Sequence, residues 1–196
     1  MKRTVLRIWE LALLLALCAG ALGGVWAQRT HDTLSGQLVR LHVLAVDDSE
    51  EEQTVKLAVR DAVLTYLQPV LADAESMPHA QMLLESRLPM IRQAASTAAA
   101  HRPVSVTLTE EYYPSRQYDG FALPAGQYLS LRIILGEGAG RNWWCVVYPP
   151  LCTAAATEAV MDSLDAESAA IITEQEGYVY KFRLLELWGQ WTARWK

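Results

Sequence analysis

The sequence lacks the motifs by which hydrolases and metalloenzymes are usually recognised. It has no Gly-x-Ser-x-Gly turn of the kind that presents a serine nucleophile. Its four histidines, at positions 31, 42, 79 and 101, do not stand at metal-ligand spacing from one another, from a cysteine or from an acidic pair. His42 lies alone in an apolar run, a setting typical of a hydrogen-bonded core histidine. The residues themselves therefore indicate no catalytic set, no metal site and no cofactor.

The apolar run near the N-terminus is short for a membrane span. Residues 11–25 carry no charge, whereas a spanning helix needs about 20 apolar residues. Basic residues precede the run, and Val25-Trp26-Ala27 at its end has the pattern of a signal-peptidase site. The pattern predicts a signal peptide over residues 1–27, with an uncleaved membrane anchor as the alternative, and then a linker over residues 28–37.

An excess of positive charge is also missing, since the formal net charge is −5. Removal of residues 1–27 takes away three of the 17 basic residues and one of the 22 acidic ones, which brings the net charge to −7. A protein this acidic is poorly suited to bind the phosphate backbone of a nucleic acid. We therefore expect no nucleic-acid partner.

The sequence has only three cysteines. Cys18 lies within the predicted signal peptide, which leaves Cys145 and Cys152 on either side of a Pro-Pro turn. Export would place this pair where disulfides persist, and a bridge requires the two Cα atoms to lie within about 6 Å. Two separately buried thiols are one alternative. The other is an exported thiol-dependent hydrolase with Cys145 as nucleophile and His42 as base.

Helical and strand patterns are both present. Apolar alternation and β-branched residues predict strands at residues 38–45, 104–109, 128–135 and 143–148. Helical spacing predicts a helix from about residue 50 to 70 and a short helical segment over 80–88. A further helix would begin or kink at Pro89.

Three other stretches complete the predicted organisation. Residues 110–126 form a long connection, which its aromatic side chains should pack, and residues 136–142 should form a hairpin turn. Residues 178–195 predict a helix whose aromatic and basic side chains fit either a membrane surface or docking on the sheet. The whole predicts an α+β single domain with helices on a mainly antiparallel sheet, comprising a core at 38–152 and a helical C-terminal extension at 153–196.

An acidic run between the first strand and the first helix admits two interpretations. Asp47-Asp48-Ser49-Glu50-Glu51-Glu52 contains enough carboxylates to suggest a cation site. Ser49 with Glu52 three residues later is also a capping box, and acids in the first turn suit the helix dipole. The cap is the simpler interpretation, because it explains the acids and the start of the helix together.

The segment Asn142-Trp143-Trp144-Cys145-Val146-Val147-Tyr148-Pro149-Pro150-Leu151-Cys152 stands out by composition. It contains two of the seven tryptophans and two of the three cysteines. Strand alternation places Trp144, Val146 and Tyr148 on one face and Trp143, Cys145 and Val147 on the other. Apolar residues on both faces predict a strand covered on both sides.

Several of these stretches resemble the stage II sporulation protein R family. The resemblance covers about residues 38–152 and is most specific from Asn142 to Cys152. Three further blocks carry it: Val39-Arg40-Leu41-His42-Val43-Leu44-Ala45, then Val59-Arg60-Asp61-Ala62-Val63, and Leu123-Pro124-Ala125-Gly126-Gln127-Tyr128.

The resemblance implies a secreted signalling protein that is not itself an enzyme. Members of the family are exported from the forespore into the intermembrane space, and an uncleaved signal would leave the protein membrane-anchored there. Their partner is a membrane-embedded aspartic protease, which then processes the precursor of the early mother-cell sigma factor. A structural protein of the cell envelope is the remaining alternative for an exported chain without a catalytic set.

A partner-binding surface is predicted around the Pro-Pro turn and in the aromatic connection. Prolines and a short disulfide loop reduce the entropy lost on binding, and tryptophans often anchor interfaces. The candidate partner-binding residues are Trp143, Trp144, Pro149, Pro150, Leu151, His42, Asp47, Arg116 and Tyr118.

Overall fold

The computed structural model describes residues 9–21, 35–118 and 121–149. The chain divides into two units, residues 1–34 and residues 35–196. In the first unit, residues 9–21 form helix α1, and their side chains are exposed. None of the helices described is both long enough and apolar enough to cross a membrane. The predicted cleavage site and the C-terminal extension lie outside the described residues.

The described part of the second unit contains two long helices and six strands. In chain order they are β1 (Val39–Leu44), α2 (Glu50–Leu71), α3 (Met77–Ala98), β2 (Val104–Tyr113), β3 (Arg116–Tyr118), β4 (Phe121–Leu123), β5 (Gly126–Leu135) and β6 (Asn142–Tyr148). All four predicted strands are present, as β1, β2, β5 and β6. The predicted fold class, α+β in a single domain, is confirmed.

The four long strands form one sheet in the order β2-β5-β1-β6. β2 pairs with β5 and β1 pairs with β6 in antiparallel orientation, whereas β1 and β5 are parallel. The sheet is thus mixed and mainly antiparallel, as predicted. β3 and β4 form a separate two-stranded hairpin.

The connection from β5 to β6 is not a hairpin, and this prediction is wrong. β1 lies between the two strands, so residues 136–141 cross over the end of β1. Ala139 N donates to Val46 O at 3.2 Å and Gly140 N donates to Ala45 O at 3.0 Å. These two hydrogen bonds hold the crossing segment against the residues that follow β1. A Cβ atom on Gly140 would lie 2.2 Å from Asp47 O, so only glycine fits there. A glycine-rich stretch indicates a turn but does not tell which strands the turn joins.

One face of the sheet packs against α2 and α3 to form the apolar core. Side chains at every second position of β1 and β5 lie on this face because the strand period is two. The fully buried members include Leu41, Val43, Leu131, Ile133 and Leu135 from the strands and Val59, Val63, Leu84, Ile91 and Ala95 from the helices. This packing also determines which side chains the opposite face presents.

Helix α2 lies where it was predicted, whereas α3 is longer and more continuous than predicted. α3 runs from Met77 to Ala98 with Pro89 inside it, so the predicted break into two segments is wrong. Proline removes one hydrogen bond and disfavours a helix interior. Burial of Leu84 and Ile91 on either side of Pro89 fixes both halves on the sheet, and such packing supplies most helix stability in proteins.

The predicted helix cap after β1 is confirmed. Glu52 N donates to Ser49 Oγ at 3.4 Å, and Glu50, Glu51 and Glu52 occupy the first turn of α2. The reciprocal half of the capping box is absent from this described turn, because Asp47 Oδ1 accepts from Ser49 N at 2.8 Å. The carboxylates of Glu51 and Glu52 instead accept from Arg102.

Residues 110–126 are mostly strand, although they were predicted as a connection. β2 continues to Tyr113 beside β5, and the β3–β4 hairpin occupies most of the remainder. The second half of β2 lacks apolar alternation because its side chains on the sheet face opposite the helices are polar and aromatic. The predicted packing by aromatic side chains is found at Tyr113, which is fully buried.

Candidate functional site

The face of the sheet opposite the helices carries polar and aromatic side chains. We call this the polar face and define it by Arg40, His42, Glu111, Tyr113, Ser130, Arg132 and Trp144. Because Leu41 and Val43 face the helices, Arg40 and His42 must face the other way. The strand register places His42 beside Arg132 on β5 and beside Trp144 on β6. Arg40 lies beside Ser130 in the same way.

His42 lies at the centre of a hydrogen-bond network that joins all four strands. Its Nδ1 is 2.9 Å from both carboxylate oxygens of Glu111, and its Nε2 is 3.0 Å from Asn142 Oδ1. Ser130 Oγ donates to Glu111 Oε2 at 3.1 Å and is 2.7 Å from the hydroxyl of Tyr113. The side chain of His42 is only 6% exposed. This is the hydrogen-bonded core histidine that the sequence suggested.

Glu111 is held in its charged form by this network. Burial alone would raise the pKa of Glu111, but the hydrogen bonds from His42 and Ser130 and the charges of His42 and Arg132 together bring it below its ordinary value. Ser130 is fully buried and donates to Glu111 rather than to His42. The network therefore does not assemble a serine nucleophile with a histidine base.

Arg40 lies fully buried in a cage of three tyrosines. Its Cζ is 4.1 Å from the ring centroid of Tyr113, 5.1 Å from that of Tyr128 and 5.9 Å from that of Tyr118. Arg40 Nη2 donates to the hydroxyl of Tyr118. Burial raises the pKa of Tyr113 and of Tyr128 above the ordinary value, so both phenols stay neutral. Among the described residues, no carboxylate forms an ion pair with Arg40.

Strand β3 covers the polar face at Trp144 and Arg40. The guanidinium of Arg116 lies over the indole of Trp144, with Cζ 4.5 Å from the ring centroid. Trp144 also meets the ring of His42 edge-on, at 5.4 Å between centroids. The hydroxyl of Tyr118 donates to Trp144 O at 3.4 Å. Four of the residues predicted from the sequence, His42, Trp144, Arg116 and Tyr118, are thus brought together here.

The other predicted site residues lie elsewhere. Trp143 is half-buried on the helix side of the sheet, where Arg60 Cζ lies 4.3 Å from its ring centroid. Asp47 is exposed in the turn before α2, and hydrogen bonds from Ser49 lower its pKa. Pro149 is buried, contrary to the exposed turn that was predicted. Pro150 and Leu151 lie outside the described residues.

Tyr148 does not share a face with Trp144 and Val146, although strand alternation predicted that it would. The pairing of β1 with β6 shifts register between Val39 and Arg40, which act as partners of Tyr148 and Val146. Tyr148 consequently packs on the helix side, where its hydroxyl donates to Ala74 O at 3.2 Å. One irregularity in a strand is enough to reverse the side that the following residue faces.

The thiol-hydrolase alternative is excluded by the sheet. Cys145 pairs with Leu41, and both lie in the core on the helix side, whereas His42 points to the polar face. Cys145 is also disulfide-bonded, so it offers no thiolate for attack. Its predicted partner, Cys152, lies outside the described residues, and that pairing stays a prediction.

Several residues of the polar face were missed in the sequence. Arg40, Glu111, Tyr113, Ser130 and Arg132 were not identified as site residues. A signal for them exists, because polar residues stand two positions apart at 40 and 42 and again at 130 and 132, within otherwise apolar strands. That spacing places each pair on a single face.

Comparison with known proteins identifies relatives of the chain. The family model described as "Stage II sporulation protein R" matches residues 35–158. A protein of Bacillus subtilis (strain 168) named "Stage II sporulation protein R" is 34% identical over 188 residues, which cover 89% of this chain and 83% of the relative. No solved structure matches the chain. The family-model match includes the whole polar face.

Proposed function

The chain belongs to the stage II sporulation protein R family, and we propose that it is a secreted signal between the two cells of a sporulating bacterium. In this proposal the forespore exports the protein into the intermembrane space. There it activates a membrane-embedded aspartic protease, which processes the precursor of the early mother-cell sigma factor. The protein acts by binding its partner and not as an enzyme.

The arrangement of the polar face is the observation that carries this proposal. Its titratable and hydroxyl groups bond to one another, as in the His42–Glu111–Ser130 network. Across the part of the chain that the structure describes, no three metal-ligating side chains cluster, and the buried hydroxyl of Ser130 is held between Glu111 and Tyr113. A rigid face of this kind suits recognition, since side chains already held in place lose little entropy when a partner binds.

Two features support the proposed location. The N-terminal sequence has the pattern of a signal peptide, with three basic residues before an uncharged apolar run. Cys145 forms a disulfide, and disulfides persist mainly outside the reducing cytoplasm. Both features fit a protein that works after export.

Co-expression in a non-sporulating host tests the proposal. The host would carry the protease and the tagged sigma-factor precursor, with or without this chain, and precursor cleavage would be followed by immunoblot. We expect cleavage only when the chain is present and exported. A variant lacking residues 2–27 is the control, because it stays in the cytoplasm and should leave the precursor intact. Absence of cleavage despite a secreted and folded chain would contradict the proposed function.

A further inference from the structure

The polar face and β3 together are cationic, in contrast to the chain as a whole. Among the described side chains of this region, three arginines, Arg40, Arg116 and Arg132, stand against the single carboxylate of Glu111. The formal net charge of the whole chain is −5. A concentration of arginines on one face of an acidic protein points to a partner of negative charge.

The same face is short of hydrogen-bond acceptors. Four buried donor atoms on it have no hydrogen-bond partner within the described chain: Nε and Nη1 of Arg40, Nε of Arg132 and Nε1 of Trp144. Arg132 Nε lies 3.6 Å from Glu111 Oε1, which is too long for a hydrogen bond. Among the described side chains, no buried acceptor is left unpaired. Buried donors are normally satisfied, so this one-sided deficit adds to the positive polarity of the face.

Two of the arginines can be reached by a partner. Arg116 is exposed on β3, and the side chain of Arg132 is 37% exposed. Exposed polar residues flank Arg132 on the same face, namely Thr107, Thr109 and Asn142. Arg40 lies beneath Tyr118 and contributes its charge from the interior, where the low dielectric strengthens its field.

We propose that the polar face, with Arg116 and Arg132 as contact residues, binds an acidic segment of a protein partner. Carboxylates suit this surface because guanidinium groups hold them by charge-assisted, often bidentate hydrogen bonds. The proposal rests on the proposed function insofar as the partner is the protease, and it predicts an acidic segment on the outer side of that protease.

Charge reversal tests the proposal with the secreted full-length protein. Arg116→Glu alone and Arg116→Glu with Arg132→Glu are compared with the double variant Arg87→Glu, Arg92→Glu. Arg87 and Arg92 are exposed on α3, on the opposite side of the sheet. Their reversal changes the net charge by the same amount as the reversal of Arg116 and Arg132. Thermal midpoints establish that each variant is folded. Arg116→Glu keeps the test valid if the double variant is unstable, because Arg116 is exposed.

Binding is measured directly with synthetic peptides, hexaglutamate and hexaglutamine, at low salt. We expect wild type to prefer hexaglutamate and to lose that preference at high salt. Reversal of Arg116 and Arg132 should weaken binding by about tenfold, since each introduced carboxylate repels the ligand, whereas the α3 variant should bind as wild type does. Equal binding by all variants, or no preference for hexaglutamate, would overturn the proposal.

Two further readouts separate the possible outcomes. Binding only to vesicles of phosphatidylglycerol and not to hexaglutamate would overturn the proposal in favour of a lipid surface. In the co-expression assay, the Arg116 and Arg132 variants should be secreted and folded but should support little cleavage of the precursor by the protease. If wild type binds hexaglutamate through this face and yet no precursor is cleaved, the proposed function fails while the acidic-segment site stands. If the reversed variants support precursor cleavage as well as wild type does, the site is overturned and the function stands.

Discussion

The two faces of the four-stranded sheet are built from the same strands by opposite chemistry. On the helix side, Leu41, Leu131 and Ile133 are fully buried among apolar side chains of α2 and α3. On the polar face, neighbouring positions of the same strands place Arg40, His42 and Ser130 in equally deep burial. The first face is explained by packing, whereas the second keeps the buried charge of Arg40, with which no carboxylate of the described residues forms an ion pair.

The difference indicates where the molecule gains stability and where it gives stability up. Apolar burial stabilises by about 25 cal/mol for each Å² removed from water. A buried guanidinium without an acidic partner costs stability, even with aromatic rings around it. Groups that lower stability without an evident structural benefit are expected at functional sites. The comparison thus points to the polar face as the face that a partner recognises.

The largest change in stability should come from truncating a buried side chain on the helix side of the sheet. Leu131→Ala removes a fully buried side chain from the core and should lower the free energy of unfolding by about 2–5 kcal/mol. Denaturant titration measures this, with Thr109→Ala, exposed on the other face, as the control near zero. Similar losses for the two variants would mean that the polar face is packed as tightly as the core.

Replacement of Arg40 should change the free energy of unfolding by a smaller amount and in the opposite direction. Arg40→Met keeps a long side chain among the three tyrosines and removes the buried charge, so the free energy of unfolding should rise by about 1–4 kcal/mol. Thermal and denaturant unfolding of the purified protein measure it. A clear loss of stability would show that the tyrosine rings fully compensate the charge, and would weaken the contrast between the faces.

The network around Glu111 should make the polar face sensitive to acid. The pKa of Glu111 is below its ordinary value of 4.5 in the folded protein. The unfolded chain therefore takes up the proton first, so the contribution of Glu111 to stability is complete above about pH 5 and is lost as the pH falls through the folded pKa.

Glu111→Gln isolates that contribution. At neutral pH the variant should be less stable by about 1–2 kcal/mol, because His42 and Ser130 lose a charged acceptor. Between about pH 6 and about pH 3 its thermal midpoint should fall less steeply than that of wild type. An identical acid profile in the two proteins would contradict the assigned role of Glu111.

The smallest effects compare two stacked arginines. Arg60 lies over Trp143 on the helix side and Arg116 over Trp144 on the polar face, at 4.3 Å and 4.5 Å from the ring centroids. Replacement of either by Ala should lower stability by about 0.5–1 kcal/mol. Only Arg116→Ala should also reduce precursor cleavage. Equal loss of cleavage in both variants would show that stability alone limits signalling.

Much of the fold could be predicted from the sequence because the signals are local. The four strands follow from alternation along β1, β2, β5 and β6, and the start of α2 follows from Ser49 with its acidic first turn. These features depend on residues within a few positions of one another. Local signals failed where packing was stronger than propensity, as at Pro89 inside α3.

The candidate site was predicted only in part. His42, Trp144, Arg116 and Tyr118 were singled out from the sequence, and the structure brings them together. Trp143 was singled out for the same reason as Trp144, its position in an aromatic segment, yet it faces the helices. Composition identifies a residue as suited to binding, but the strand register decides which face it serves.

By itself, the sequence determined the family, the presence of the four strands of the main sheet and the helix cap, because each depends on residues close together in the chain. Only the tertiary structure decided that β1 lies between β5 and β6, and hence that His42 meets Glu111, 69 positions away, and Asn142, 100 positions away. The tertiary structure also decided the strand irregularity that turns Tyr148 to the helix side. Pairings across such distances depend on the packing free energy of the whole sheet, and no short stretch of residues contains that information.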